Sequence, residues 1–553
     1  MNEKSKSQWR RFLARGQSEV EIPAGRQPFA HTLSILVVTL ALPISLARGA
    51  SPDGARNRDY IGPTSAVAPI VLPTSGPLKV SVEEAILTTL ERNQELRVQR
   101  LGPRLSRTGI EMERAAFDPT LTGNLSYSRG RTERDSDVTG KSIGTTSKRT
   151  DAGVGVSEFL PTGTNVAVDL SANRSWATGA GDQNTAGVGL SVTQALLRGF
   201  GLGVNLASLR QAQLDSSVSE YELRGYAEML VARVEETYWD YALAQRQIEI
   251  FTDSLKIAQQ QLGEVEERIK IGKLAEIERA AAQAEVALRE EALINARSTL
   301  ATTRLQMLRL LNAPGANLWN RDVVLQDQPS SVDVQLDDVE SHVQIGLRMR
   351  PDQNQARLGI QRGDLELVKT RNGLLPRMDL FITLGRTGYA DSFGGSVRSS
   401  DGHGYDGTIG VNFEYPLLNR AARARHERAT VSLDQQQEAL RNMEQLAQLD
   451  IRSAYIEVTR LKEQIVATAA TRRLQEETVR SEIEKFRVGK STTLLVARAQ
   501  RDLLSARIDE IRAVMSHLKA LVELYRLEGS LLERRGILAP GRQPVGELSP
   551  SKR

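Results

Sequence analysis

Apolar positions change period several times along the chain. Val234, Tyr241, Ile248, Leu255, Leu262 and Ile269 fall at intervals of seven, and so do Ile451, Val458, Ile465, Val479 and Phe486, interrupted at Arg472. A seven-residue period held this long predicts helices that supercoil left-handedly on a partner. The period returns at Ala287, Ile294, Ala301 and Leu308 and at Leu504, Ile511, Leu518 and Tyr525. Between Pro119 and Gln194 it falls to two, with Leu121, Leu125 and Tyr127, Val154 and Val156, Val166, Val168 and Leu170, and Val188, Leu190 and Val192. Polar or tiny residues such as Thr122, Asn124, Ser126, Asp169, Gly189 and Ser191 lie between them. Alternation predicts strands with one apolar and one polar face. In a soluble sandwich the apolar face is core; in a transmembrane barrel it meets lipid.

The connections alternate in length. Leu160 to Thr164 reads as a short turn, and Gly130 to Thr150 and Ser175 to Thr185 as long polar loops, giving four strands. Met378 to Tyr389 and Thr408 to Tyr415, joined by a loop from Ala390 to Gly407, give two more. Short and long connections in turn fit periplasmic turns and extracellular loops. Six strands from one chain cannot close a wide pore beside a coiled-coil wall, so their open edges call for identical partners around a cyclic axis.

The chain also repeats itself. At an offset of 217, Tyr238 matches Tyr455, Gly272 matches Gly489, Lys273 matches Lys490 and Arg309 matches Arg526. At an offset of 257, Leu90 matches Leu347, Arg100 matches Arg357 and Pro119 matches Pro376, so the first copy holds 40 more residues in its Gly-rich section. Asn205 to Ile271, 67 residues, extends about 100 Å as helix, while Val82 to Ala116 and Ile277 to Leu311 are 35 residues each. Two short helices end to end thus match one long helix. The second copy repeats this with Asp337 to Gly373, Asn419 to Val488 and Thr492 to Ser530. The expected organisation is a signal peptide and basic leader over 1–50, a Pro-rich flexible segment over 51–77, a first repeat over 78–312, a linker over 313–336, a second repeat over 337–530 and a flexible tail over 531–553.

Charge and composition narrow the function. Residues 1–50 carry seven Lys/Arg against three Asp/Glu, so the net charge of +4 belongs to the leader and the body has no positive excess to attract nucleic acid. The apolar run Leu33 to Leu46 follows a basic segment and ends in small residues at Ser45, Ala47 and Ala50, as a secretory signal does. Arg10 and Arg11 resemble a twin-arginine signal, but two glutamates and a long spacer separate them from that run. The chain has no cysteine, which excludes disulfides, thiolate metal sites and a cysteine nucleophile. No later stretch has 18 continuous apolar residues, so any membrane crossing must be built from strands. Gly199-Phe-Gly201-Leu-Gly203 lacks the spacing of a dinucleotide-binding turn and reads as a joint. His31, His342, His403, His426 and His517 lack ligand spacing, so structural or surface roles are expected, with no metal, cofactor or catalytic site. Tyr238 and Tyr455 read as coiled-coil packing or as lining of a duct.

Over residues 78–530 the chain resembles the TolC, or outer-membrane efflux protein, family. The resemblance rests on the tandem repeat, on Gln194-Ala195-Leu196-Leu197-Arg198-Gly199 and Tyr415-Pro416-Leu417-Leu418 at the strand-to-helix passages, and on Ile271-Gly272 and Val488-Gly489 between paired helices. It implies an α+β membrane protein: a homotrimer in the cell outer membrane whose transmembrane β-strands share one β-barrel and whose long coiled-coil helices form a periplasmic α-barrel. A periplasmic adaptor protein, an inner-membrane transporter and outer-membrane lipid are the implied partners. The implied function is a passive, non-enzymatic exit duct of a tripartite efflux or type I secretion system; the alternative is a periplasmic coiled-coil scaffold or adaptor.

The candidate adaptor contact and gate lie at two turns, Ile271, Gly272, Lys273, Leu274, Glu276 and Glu278 in the first and Val488, Gly489, Lys490, Ser491, Thr492 and Arg498 in the second. Candidate strand-to-helix joints are Gln194, Leu196, Leu197, Gly199, Pro416 and Leu417. The chain departs from the family pattern twice. Members usually contribute four strands, which makes the Leu160 to Thr164 hairpin an addition. Many carry aspartates just after the second turn, where this chain has Leu495 and Arg498.

Overall fold

The computed structural model describes residues 61–63, 76–135, 142–313, 318–329, 335–399 and 404–546. The expected signal peptide lies outside them. After β1 (Gly62–Pro63) and β2 (Leu78–Val80), α1 (Val82–Arg92) starts at a reciprocal cap: Ser81 Oγ accepts the Glu84 N–H and the Glu84 carboxylate accepts the Ser81 N–H. The single helix expected over Val82 to Ala116 is instead α1, α2 (Gln94–Gln99) and α3 (Leu101–Arg114). Asn93 breaks it, since its extended backbone lets Oδ1 cap the Leu96 N–H at 3.0 Å while Nδ2 reaches the Leu310 carbonyl at 3.4 Å.

Four strands follow: β3 (Thr120–Asp135), β4 (Ser142–Leu160), β5 (Thr164–Ala177) and β6 (Gly181–Ala195). A short α4 (Leu202–Asn205) leads into α5 (Ala207–Lys270), 64 residues or roughly 96 Å of helix, and α6 (Ile277–Leu311) returns along it. In the linker, β7 (Val323–Leu325) pairs parallel with β2.

The second repeat runs through α7 (Val339–Met349), α8 (Pro351–Asn372), β8 (Arg377–Ala390), α9 (Phe393–Ser399), β9 (Tyr405–Glu414), α10 (Arg420–Arg487) and α11 (Thr493–Leu527). The continuous helix expected over Asp337 to Gly373 is broken at Arg350, whose ψ of 126° is the extended conformation a following proline imposes. Finally α12 (Leu531–Arg534) precedes β10 (Ile537–Leu538), which pairs antiparallel with β1.

The large sheet is an antiparallel meander of six strands in the order β3-β4-β5-β6-β8-β9, with Val154 to Asn173 inside it. Its strands outrun the expected ones. The loop expected over Gly130 to Thr150 shrinks to the stretch between Asp135 and Ser142, and the one over Ser175 to Thr185 to Thr178–Ala180. Between Ala390 and Gly407 lies α9 in place of an irregular loop. The ladder needs only backbone groups, so strands continue where both faces have turned polar and the apolar alternation no longer marks them.

The main core sits at mid-length of the long helices. Ile86, Leu90 and Leu96 pack with Leu230, Val234, Met307, Leu308 and Leu311, all buried. The tail expected to be flexible from residue 531 is instead packed as far as it is described, to residue 546. Leu531 and Leu532 are fully buried in that core, Arg535 pairs with Glu235 at 2.6 Å, and the Val545 N–H donates to Asn354 Oδ1 at 2.9 Å.

Candidate functional site

The register of the sheet sorts its side chains into cross-strand rows. Leu121, Val156, Val168, Leu190 and Leu384 are successive partners, and the neighbouring row on that face holds Glu158, Val166, Val192, Ile382 and Ile409. The opposite face carries Thr122, Gly155, Asp169, Gly189, Gly385 and Asp406 in one row and Thr120, Ser157, Ala167, Ser191, Thr383 and Thr408 in another. One face is thus apolar and exposed, as at Leu121 and Leu190, and the other polar. Both end strands, β3 and β9, have an unpaired edge in the described chain. No described helix is long and apolar enough to cross a membrane.

The two helical turns have nearly one geometry. Gly272 and Gly489 both sit at φ 74°, a left-handed conformation that glycine takes without steric cost. Lys273 N–H bonds the Arg268 carbonyl at 2.9 Å and Lys490 N–H the Lys485 carbonyl at 2.8 Å, closing each helix end in a Schellman arrangement. The preceding residues Ile271 and Val488 are exposed, as are Lys273, Glu276, Lys490, Thr492 and Arg498, while Leu274, Glu278 and Ser491 are half-buried. Glu276 pairs with Arg279. In the second turn Thr492 caps Leu495 N–H at 3.4 Å, and Glu482 is held below the usual carboxylate range by hydrogen bonds from Lys485 and Ser491. The hairpins lie side by side, with the Arg268 guanidinium 4.5 Å from the Phe486 ring centre and Arg501 3.9 Å from Glu285.

The strand-to-helix joints are built from backbone bonds. Leu196 N–H reaches the Met378 carbonyl at 2.7 Å, tying the two repeats together, and Gln194 accepts from the Thr164 hydroxyl. Gly199, at φ 87°, donates to Asn372 Oδ1 at 2.8 Å, and Asn372 Nδ2 reaches the Leu197 carbonyl at 3.4 Å. In the second joint the Pro416 carbonyl accepts from Asn419 N–H at 3.0 Å, and Leu417 is 91% exposed.

The profile of the outer membrane efflux protein family matches residues 85–313 and 343–530. The chain belongs to the outer membrane efflux protein family. Its fold is similar to that of the outer-membrane channel OprN, with a TM-score of 0.62 at 18% identity over 81% of this chain and 90% of that one. The Campylobacter jejuni CmeC outer membrane channel gives 0.61 at 15% identity over 81% and 86%. The open state of the Neisseria gonorrhoeae MtrE outer membrane channel gives 0.58 at 17% over 85% and 97%. No curated protein sequence matches. The chain is therefore an outer-membrane efflux duct in kind, from a family of channels and not of enzymes.

In this outer membrane efflux protein the Tyr238 side chain packs and does not line a bore. It is fully buried, donates to the Val80 carbonyl at 3.2 Å and accepts the Asp327 N–H at 3.2 Å; burial pushes its hydroxyl up to about 12. Tyr455 is half-buried against the ring of His342, 5.9 Å away.

Sequence reasoning missed the polar groups that fix the joints and the mid-body. Asn205, Asn372 and Asn419 supply joint bonds, the last at φ 42° with Nδ2 on the Leu374 carbonyl at 3.1 Å. Asparagine beside a helix end was the available signal. His342 and Glu528 form a fully buried pair at 2.5 Å, with Arg534 Nε 3.0 Å from the other carboxylate oxygen. At the repeat offsets of 257 and 217, the first copy has Ala85 and Leu311 in their places.

Proposed function

We propose that this protein is the outer-membrane subunit of a homotrimeric exit duct, serving a tripartite efflux or type I secretion machine in which a partner pump drives the cargo. The observation that carries the reading is the sheet: rows on one face that are apolar except at Glu158 and Arg386 up to the charged outer end, polar rows on the other and, in the described chain, a bare edge at each end. Three copies joined edge to edge contribute six strands each, enough for a barrel with an aqueous interior. Its apolar face then meets lipid and its polar face lines the water path.

Trimer contacts in the helical part are supported by apolar side chains of α10 that no described residue covers, with Ile456 67% and Val466 71% exposed. The helices extend into the periplasm and end at the Gly272 and Gly489 turns, so three subunits present six similar tips. Exposed Ile271, Lys273, Val488 and Lys490 suit these tips for contact with a periplasmic adaptor, and loosening of the paired hairpins would open the entrance. The protein should fractionate with outer membranes as a detergent-soluble trimer and conduct ions across a planar bilayer. Recovery as a soluble periplasmic protein without conductance would establish the scaffold alternative.

A further inference from the structure

At the end of the sheet away from the helices, the apolar face carries a feature that a plain membrane wall does not need. Helix α9 folds over that face. Both ends of its loop are held, Asn184 Nδ2 donating to the Asp391 carbonyl at 2.9 Å and Ser399 Oγ to the Tyr389 carbonyl at 3.0 Å. The row beneath it is small, running Ala152, Ala172, Ala186, Gly388 across four strands, with Ala186 and Gly388 buried. Between helix and sheet lies an open groove of about 430 Å³ whose apolar walls include Val154, Leu170, Val188 and Val397.

Charge rises where the groove ends. Arg386 is the register partner of Val188 in the groove wall. Two residues beyond the alanine row, and so roughly 7 Å further along the strands, stands Arg174; the next row holds Arg129, Lys148, Trp176 and Asp182. Arg398 adds a cation from α9. Asp182, paired with Arg174 at 2.9 Å, is the one acid on the rows that carry Arg386, Arg174, Arg129 and Lys148. Lys148 lies 5.0 Å from the Trp176 ring centre, and Tyr127 and Tyr405 share the face. Cations interleaved with aromatics at one end of an apolar surface match a membrane headgroup zone in which anions are held.

We infer that this groove and its cationic rim bind one anionic, phosphate-bearing lipid, the acyl chain lying between α9 and the alanine row and the phosphate among Arg174, Lys148 and Arg398. The inference rests on reading the apolar face as lipid-facing. A general charge attraction would need only the rim; this site needs the groove as well.

Trp176 is the reporter. With Trp9, Trp239 and Trp319 replaced by Phe, the full protein is reconstituted in phosphatidylcholine vesicles containing a small, equal fraction of brominated phosphatidylglycerol or brominated phosphatidylcholine. The anionic lipid should quench Trp176 several-fold more strongly. The difference should vanish in an Arg174→Gln, Lys148→Gln variant and fall in Ala172→Phe, which fills the groove, and in Arg398→Gln, which leaves the sheet untouched. Retained quenching by brominated phosphatidylcholine confirms that each variant still sits in the bilayer. Equal quenching by the two lipids in the wild type overturns the site and leaves the lipid-facing reading intact. Absence of quenching by either overturns both, and an undiminished preference in Ala172→Phe overturns the groove.

Discussion

Glu228 gives the mid-body a pH dependence that one substitution should remove. Its side chain is almost wholly buried on α5, with Arg224 Nε 3.2 Å away but out of line for a hydrogen bond. Arg224 also gives Nη2 to Glu533 at 2.7 Å and to the Gly529 carbonyl at 3.0 Å, so one positive charge serves two carboxylates. Burial pushes Glu228 up to about 8, while Arg224 pulls it back and Glu533 pushes it further up. The native state therefore keeps a proton that the unfolded chain releases near 4.5. Between those two values the native state binds more protons, so stability is lost as pH rises, by up to about 1.4 kcal/mol per pH unit.

From pH 6 to pH 7.5 that slope amounts to about 2 kcal/mol per subunit. Glu228→Gln keeps the shape and removes the proton. Denaturant unfolding of the detergent-solubilised protein, followed by helical circular dichroism at the two pH values, should show the wild type losing about 2 kcal/mol more than the variant. His517, which burial pushes down, is present in both proteins and cancels. Equal losses in the two proteins, or a wild type that gains stability over this interval, would refute the reasoning.

Gly272→Val and Gly489→Val place a β-branched residue at φ 74°, costing roughly 1–2 kcal/mol of local strain or more, and should weaken adaptor crosslinking and transport in protein that still reaches the outer membrane; normal crosslinking and transport in both would remove the tips as the contact. Leu532→Ala, at a fully buried position, should cost about 2–5 kcal/mol in denaturant unfolding, and no change would mean the tail is not part of the core. Leu190→Arg should weaken membrane assembly by about 2–4 kcal/mol if its row lies at mid-bilayer. Assembly at the wild-type level would move that side chain away from lipid.

What could be read in the sequence follows from how local the cause is. The return helix α6 runs over Ile277–Leu311, the span its seven-residue period indicates, because a coiled-coil stripe is written continuously along the chain. The break at Asn93 was hidden in part: its cap on Leu96 is local, but the bond that also holds its side chain goes to the Leu310 carbonyl, 217 positions away. Pro351 was the local signal of the break at Arg350, because the residue before a proline is held out of the helical conformation. The outer halves of the strands were missed because Arg131, Lys148 and Asp182 look like loop residues until their backbones pair. At the tips, Gly272 and Gly489 were legible through glycine's freedom at a helix end. The buried groups were not: Arg224 meets Glu533 across 309 positions, and no local pattern distinguishes it from a surface arginine.

The central claim is that one face of the six-stranded sheet lies in lipid and the other in water. The chain has no cysteine, so single cysteines can be placed along β5 without a background. In native outer membranes a membrane-impermeant thiol reagent should label Ala167→Cys, Asp169→Cys and Ser171→Cys and spare Val166→Cys, Val168→Cys and Leu170→Cys, giving a period of two. Uniform labelling of all six, or labelling of the valine and leucine positions in place of their neighbours, would contradict the account.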